Sequence, residues 1–186
     1  MYALITDGSI AKHLRGNRGI QIGDIQYPRD IFSKWTEAER NAIGIYEIIF
    51  NNAKAKDGEY YNNTNQTYTY DADAGTVTAT YGDATAKDSA KIKTEKIKVI
   101  KAQAAGILKD TDWYIIRKAD ADTDVPSAIT TFRAAVRSKA AAMETLVTNA
   151  SNTAAIQTLY KYVNTAEDGD PVVMERPLGE FPVLGS

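Results

Sequence analysis

The chain has 186 residues, of which 44% are hydrophobic and 25% charged, values of an ordinary globular protein of one or two domains and not of a disordered segment. With 22 Lys and Arg against 24 Asp and Glu the net charge is -2, which argues against a whole-surface grip on nucleic acid, because a phosphate backbone needs an excess of cations. The lack of cysteine excludes thiolate catalysis, disulfides, cysteine zinc sites and iron–sulfur clusters, and the single histidine, His13, leaves little for imidazole relays.

The opening MYALITDGSIAKHLRG reaches Asp7 too early for a signal peptide or a membrane span, so neither is expected. Tyr2 to Thr6 reads as a strand, Asp7-Gly8 as a type I′ turn, and Ile10 to Leu14 as the returning strand. Gly16, Asn17 and Gly19 then break the ladder into a turn-rich loop. Tyr27-Pro28 imposes extended backbone. Thr36 and Glu39 have capping-box spacing, which predicts a short helix over 37–42, closed by Gly44. Ile45 to Phe50 is the best strand candidate. A second hairpin joins 66–70 to 76–81 through Asp71-Ala72-Asp73-Ala74-Gly75. Eight of the 11 tyrosines lie before residue 82, and most simply bury one face of this β-rich unit.

Near Thr85 the composition changes. Residues 59–86 contain no Lys or Arg and four acids, whereas 87–118 contain nine basic and four acidic groups. Thr85 and Asp88 repeat the capping-box spacing, and Ile97, Ile100, Ala104, Ile107 and Leu108 form a helical stripe. The surrounding lysines read as a solvated face, since no aromatics are interleaved to stack bases. Asp110 to Trp113 ends this helix or caps a turn, and Trp113 is expected to wedge between helices against Phe132 or Val136. Pro126 starts a second helix with the stripe Ile129, Phe132, Val136, Met143 and Val147. Ser151 and Asn152 cap a third, whose buried side is Ile156, Leu159, Tyr160 and Val163. From Asp170 onward Pro171, Pro177 and Pro182 alternate with apolar residues, the pattern of an extended arm that must dock on its own domain or on a neighbour.

The expected fold class is therefore α+β: a β-rich domain over 1–84, a helical hairpin or three-helix bundle over 85–165, and an extended arm over 166–186.

Chemical motifs are scarce. Asp120-x-Asp122-x-Asp124 opens like a calcium loop, but Val125 stands where Gly is needed and Thr131 where a bidentate Glu is needed, so an acidic turn is expected. Gly16-Asn17-Arg18-Gly19 lacks the Gly-Lys-Ser/Thr of a phosphate loop, and His13 has no carboxylate nearby in sequence. No catalytic residue, metal site or cofactor is expected, and no enzymatic activity.

The run ILKDTDWYIIRKADADTDVPSAITTFRAAVR, from Ile107 to Arg137, resembles the phage tail assembly chaperone family, small proteins of tail and tail-fibre gene clusters. The matching positions are Leu108, Thr111, Asp112, Trp113, Pro126, Phe132, Arg133, Val136 and Arg137. QYPRDIFSKWTEAERNAIGIYEI is similar to the N-terminal unit of some phage tail proteins, through Tyr27, Pro28, Trp35, Gly44 and Tyr46. The resemblance implies a non-enzymatic protein of the virion tail, made in the host cytoplasm. It would work in an oligomeric assembly with other tail or fibre proteins, without nucleic acid or membrane. Partner contacts are expected from Trp113, Phe132, Arg133 and Arg137, and from Val172, Val173, Met174, Leu178, Phe181, Val183 and Leu184 of the arm. A long apolar arm favours a retained structural or fibre-associated component. Two alternatives stand beside it: a fibre-assembly chaperone absent from the mature virion, and a carbohydrate-binding host-recognition module on Tyr68 and Tyr70 of the second hairpin.

Overall fold

The computed structural model describes residues 1–185; Ser186, the last residue of the expected arm, lies outside the described residues. The fold is α+β, strand-rich at the N-terminal end and helical beyond it. The chain divides into two compact units, Met1–Thr85 and the residues from Ala86 onward.

In the first unit β1 (Tyr2–Thr6) and β2 (Ser9–Leu14) form the expected antiparallel hairpin. Asp7 and Gly8 both take positive φ, 51° and 73°, as a type I′ turn demands. The loop that follows is more ordered than its glycines suggest. It carries a second small hairpin, β3 (Ile20–Ile22) with β4 (Ile25–Tyr27), before α1 (Ile31–Lys34).

The helix α2 (Glu37–Ala42) has a complete capping box. The Glu39 amide donates to Thr36 Oγ1 at 3.3 Å, and the Thr36 amide donates to the Glu39 carboxylate at 2.7 Å. Gly44 follows at φ +80°, where a Cβ would stand 2.7 Å from the carbonyl oxygen of Ile5. That close approach lets the Ile5 amide donate to the Gly44 carbonyl at 2.8 Å, which brings β5 (Ile45–Asn51) beside β1.

The unit is completed by β6 (Tyr61–Asn62), β7 (Gln66–Asp71), β8 (Thr76–Tyr81) and β9 (Thr85–Ala86). The main sheet runs β2-β1-β5-β8-β7, with β5 and β8 parallel and the other neighbours antiparallel. Strand alternation sends Leu4 to a core with Leu14, Ile20, Ile31 and Ile45, and Ala3 to another with Ile48, Val77 and Ala79. Tyr46, Tyr68 and Tyr70 pack on the second core.

The second unit contains α3 (Ser89–Lys109), α4 (Asp112–Ala121), α5 (Ser127–Asn149) and α6 (Thr153–Tyr160). Asp88, not Thr85, caps α3, its carboxylate accepting from the Ala90 amide at 2.9 Å. Asn152 caps α6 by accepting from the Ala155 amide at 2.9 Å. The stripes of α3 and α5 meet as their spacing predicts, with Ile100, Ala104, Val136, Ala140, Met143 and Val147 buried together.

One expectation is corrected here. Val163 does not extend the buried side of α6. The helix ends at Tyr160, and Val163 lies exposed in β10 (Val163–Asn164), paired with β11 (Met174–Glu175). The arm expected from residue 166 onward places Leu178 in the α3–α5 core of its own unit.

Candidate interaction surface

The side chains singled out in the second unit separate into an internal clasp and an outward face. The clasp forms where α3 ends. Leu108 offers a carbonyl left over at the helix C-terminus, where the backbone dipole favours a cation. The Arg133 guanidinium, reaching across from α5, donates through Nη1 to that carbonyl at 2.8 Å and to Thr111 Oγ1 at 2.6 Å. Its Nη2 lies 2.9 Å from the Asp112 carboxylate. The Thr111 hydroxyl donates in turn to the Leu108 carbonyl at 2.9 Å. Leu108, Thr111, Asp112 and Arg133 are four of the positions that carry the sequence resemblance, and they come together.

This overturns the expected place of Trp113 and the expected role of Arg133. The space between α3 and α5 is closed by the Arg133 side chain, 8% exposed, and by Thr111, 2% exposed. Arg133 is therefore buried inside its own unit, where its guanidinium serves Leu108, Thr111 and Asp112. Phe132 packs against the helical core, half-buried, and Arg137 is exposed on α5. Trp113 is 49% exposed on the outside of α4. Its ring lies 3.7 Å from that of Tyr114, and the Arg117 guanidinium sits 4.9 Å above it.

No residue of α4 is buried. Trp113, Ile115 and Ile116 all present apolar surface, Ile116 being 66% exposed. The helix is nonetheless held at both ends. The clasp holds its start. Beyond its end Lys118 Nζ lies 2.8 Å from both Asp122 and Asp124, and Asp122 takes a left-handed φ of 47°. The acidic turn thus closes on a lysine of its own helix.

The C-terminal segment divides in the same way. Leu178 is 2% exposed, and its amide donates to the Leu159 carbonyl at 3.0 Å. Phe181 packs beside it, half-buried. These two therefore anchor the segment to its own unit and are corrected from partner contacts to internal ones. An ion pair and a tyrosine lock the anchor. Arg176 Nε lies 2.7 Å from Glu180, whose carboxylate also accepts from the Tyr162 hydroxyl. The Arg176 guanidinium stands 5.3 Å from the Tyr162 ring and 5.8 Å from the Tyr160 ring. Burial works to raise the Glu180 pKa, but the hydrogen bonds from Tyr162 and Arg176 prevail and hold it below the usual range. Either side of this anchor, Val172, Val173, Met174, Val183 and Leu184 remain exposed, Val172 at 71% and Val183 at 70%.

Docking on its own domain is one of the two outcomes the sequence allows the arm, and the pairing of Arg176 and Glu180 four residues apart around Leu178 is its local mark.

In the first unit, Tyr70 is spent internally. Its hydroxyl donates to the Tyr46 hydroxyl at 3.2 Å, and both rings cover the Ala3–Ile48 core. Tyr68 packs on the same core and its ring lies tilted against that of His13, with centroids 4.1 Å apart. A stripe of rings open for stacking on Tyr68 and Tyr70 is therefore not what the hairpin presents. Among the described residues no group of three or more His, Asp or Glu is placed to hold a metal ion, and no helix is long and apolar enough to cross a membrane. No protein-family model, curated protein or solved structure matches the chain.

Proposed function

We propose that this chain is a non-enzymatic tail or tail-fibre-associated structural protein of a bacteriophage, and that it acts through protein–protein contacts made by its helical unit. The observation that carries this reading is the apolar surface left outside on elements that are themselves held firmly. Trp113 and Ile116 lie on a helix clasped by Arg133, while Val172, Val173, Met174, Val183 and Leu184 flank the Leu178 anchor. Large apolar groups left exposed on ordered backbone are the usual mark of an interaction site, because covering them costs little ordering entropy. Covering the five exposed side chains of the C-terminal segment would contribute on the order of 10 kcal/mol before ordering costs. The resemblance around Leu108 to Arg137 supplies the kind of partner, another tail or fibre protein.

Mass spectrometry of purified particles tests the reading. A retained component is found there in fixed ratio to the tail proteins. Its absence from particles, together with loss of fibre yield when the gene is removed, would assign the chain to departing assembly chaperones.

A further inference from the structure

From the first unit we infer that the loop after β2 forms a binding cleft for an acidic oligosaccharide, a role separate from the contacts of the helical unit. The cleft encloses about 640 Å³, within the range of small-ligand sites. Lys12, Arg15 and Arg18 line it, with His13 and Asn17 between them, and no carboxylate lines it among the described residues. None of the three cations has an ion-pair partner among the described residues, although residues 1–85 hold eleven Asp and Glu. Three unpaired cations around one concavity raise the local positive potential and favour an anionic guest.

The loop geometry is fixed. A Cβ on Gly19 would lie 2.6 Å from the Tyr27 carbonyl oxygen, and one on Gly16, at φ +71°, would press on Tyr2 and Phe32. The cations are thus carried on backbone packed against the rest of the unit.

A second cleft, of about 510 Å³, is lined by Asn63, Thr64, Asn65, Gln66, Tyr68 and Tyr81. His13 lines the first cleft and Tyr68 the second, and these two rings lie tilted against each other with centroids 4.1 Å apart. The two clefts are therefore neighbours. One side offers cations. The other offers amide and hydroxyl groups, which exchange hydrogen bonds with the hydroxyls of a sugar. A nucleic-acid strand fits this pair poorly, since its next phosphates would meet residues 59–86, which hold no Lys or Arg. An oligosaccharide with a carboxylate or sulfate at one residue and plain hydroxyls on the next matches both halves.

Calorimetric titration of the full chain tests this with an oligogalacturonate, a heparin-derived hexasaccharide, neutral maltohexaose, a single-stranded oligonucleotide and inorganic phosphate. At least one acidic saccharide should bind, more weakly as salt is raised, and maltohexaose should bind at least tenfold more weakly. The exposed pair R15Q/R18Q should lower that affinity about tenfold or more with an unchanged circular dichroism spectrum. N65A/Q66A should lower it several-fold. Failure of both acidic saccharides to bind, affinity unchanged in R15Q/R18Q, or tighter binding of the oligonucleotide or of phosphate alone would overturn the inference.

Discussion

Arg133 Nη1 lies 2.6 Å from Thr111 Oγ1, across 22 residues of sequence, and this bond joins the second turn of the helical unit's longest helix to the turn that launches α4. Because the guanidinium also serves the Leu108 carbonyl and Asp112, removing it takes a charged donor from three acceptors at once, of which Leu108 and Thr111 keep their bond to each other. Arg133→Leu should destabilise the unit by about 2–4 kcal/mol, since a broken buried pair costs several kcal/mol and Asp112, half exposed, recovers part by hydration. Urea denaturation measures it. A double-mutant cycle with Thr111→Val should show clear coupling, and additive losses would deny the bond its role.

Leu178→Ala should cost about 2–4 kcal/mol, the range for emptying a buried leucine site. An arm that docks only on a partner would show no loss in the isolated chain. The midpoint of chemical unfolding distinguishes the two.

Gly44→Ala combines a left-handed backbone with a Cβ 2.7 Å from the Ile5 carbonyl, so β1 and β5 must separate to admit it. A loss well above the ~1 kcal/mol of an ordinary glycine replacement is expected in thermal unfolding of the strand-rich unit. Thr36→Ala, which removes only the cap, should cost about 1 kcal/mol.

These expectations show what could be read locally. The first hairpin, the capping box at Thr36, the Thr- and Tyr-rich hairpin and the stripes of α3 and α5 depend on residues within a few positions of each other, and periodicity and turn chemistry reach that far. The parallel pairing of β5 with β8 depends on distant partners and carries no local mark. The inside position expected for the large ring of Trp113 is taken by an arginine. The sign of the true arrangement was present: Arg133 falls within the spacing Ile129, Val136, Ala140, Met143, Val147, where an apolar residue belongs. A cation in that stripe requires acceptors, and Leu108, Thr111 and Asp112 supply them. Leu178 looks no different in sequence from the apolar neighbours with which it is expected to meet a partner, yet it is the one that is buried.

The C-terminal anchor should respond to acid. Glu180 has a lowered pKa, so its ionised form favours the folded anchor; the contribution is complete above the ordinary value of 4.5 and is lost as pH falls through the lowered one. The effect is small, because the carboxylate is 59% exposed. Protection factors of the residues after Leu178, with exchange corrected for the pH dependence of the intrinsic rate, should fall below pH 4.5 in the native chain and be similarly low at neutral pH in Glu180→Gln.

The outer face of α4 should be dispensable for folding. Trp113→Ala with Ile116→Ser touches no buried residue, and stability should change by less than about 0.5 kcal/mol. Incorporation into particles should nonetheless fall several-fold, measured by quantitative mass spectrometry against a tail protein.

The most direct measurement is photo-crosslinking inside purified particles, with the reactive group placed at Ile116, at Val172 and, as a control, at exposed Asp73 of the β7–β8 turn. The contact account predicts crosslinks from Ile116 and Val172 to a tail or fibre protein and few from Asp73. Equal yield from all three positions, or none from the two apolar ones, would contradict it.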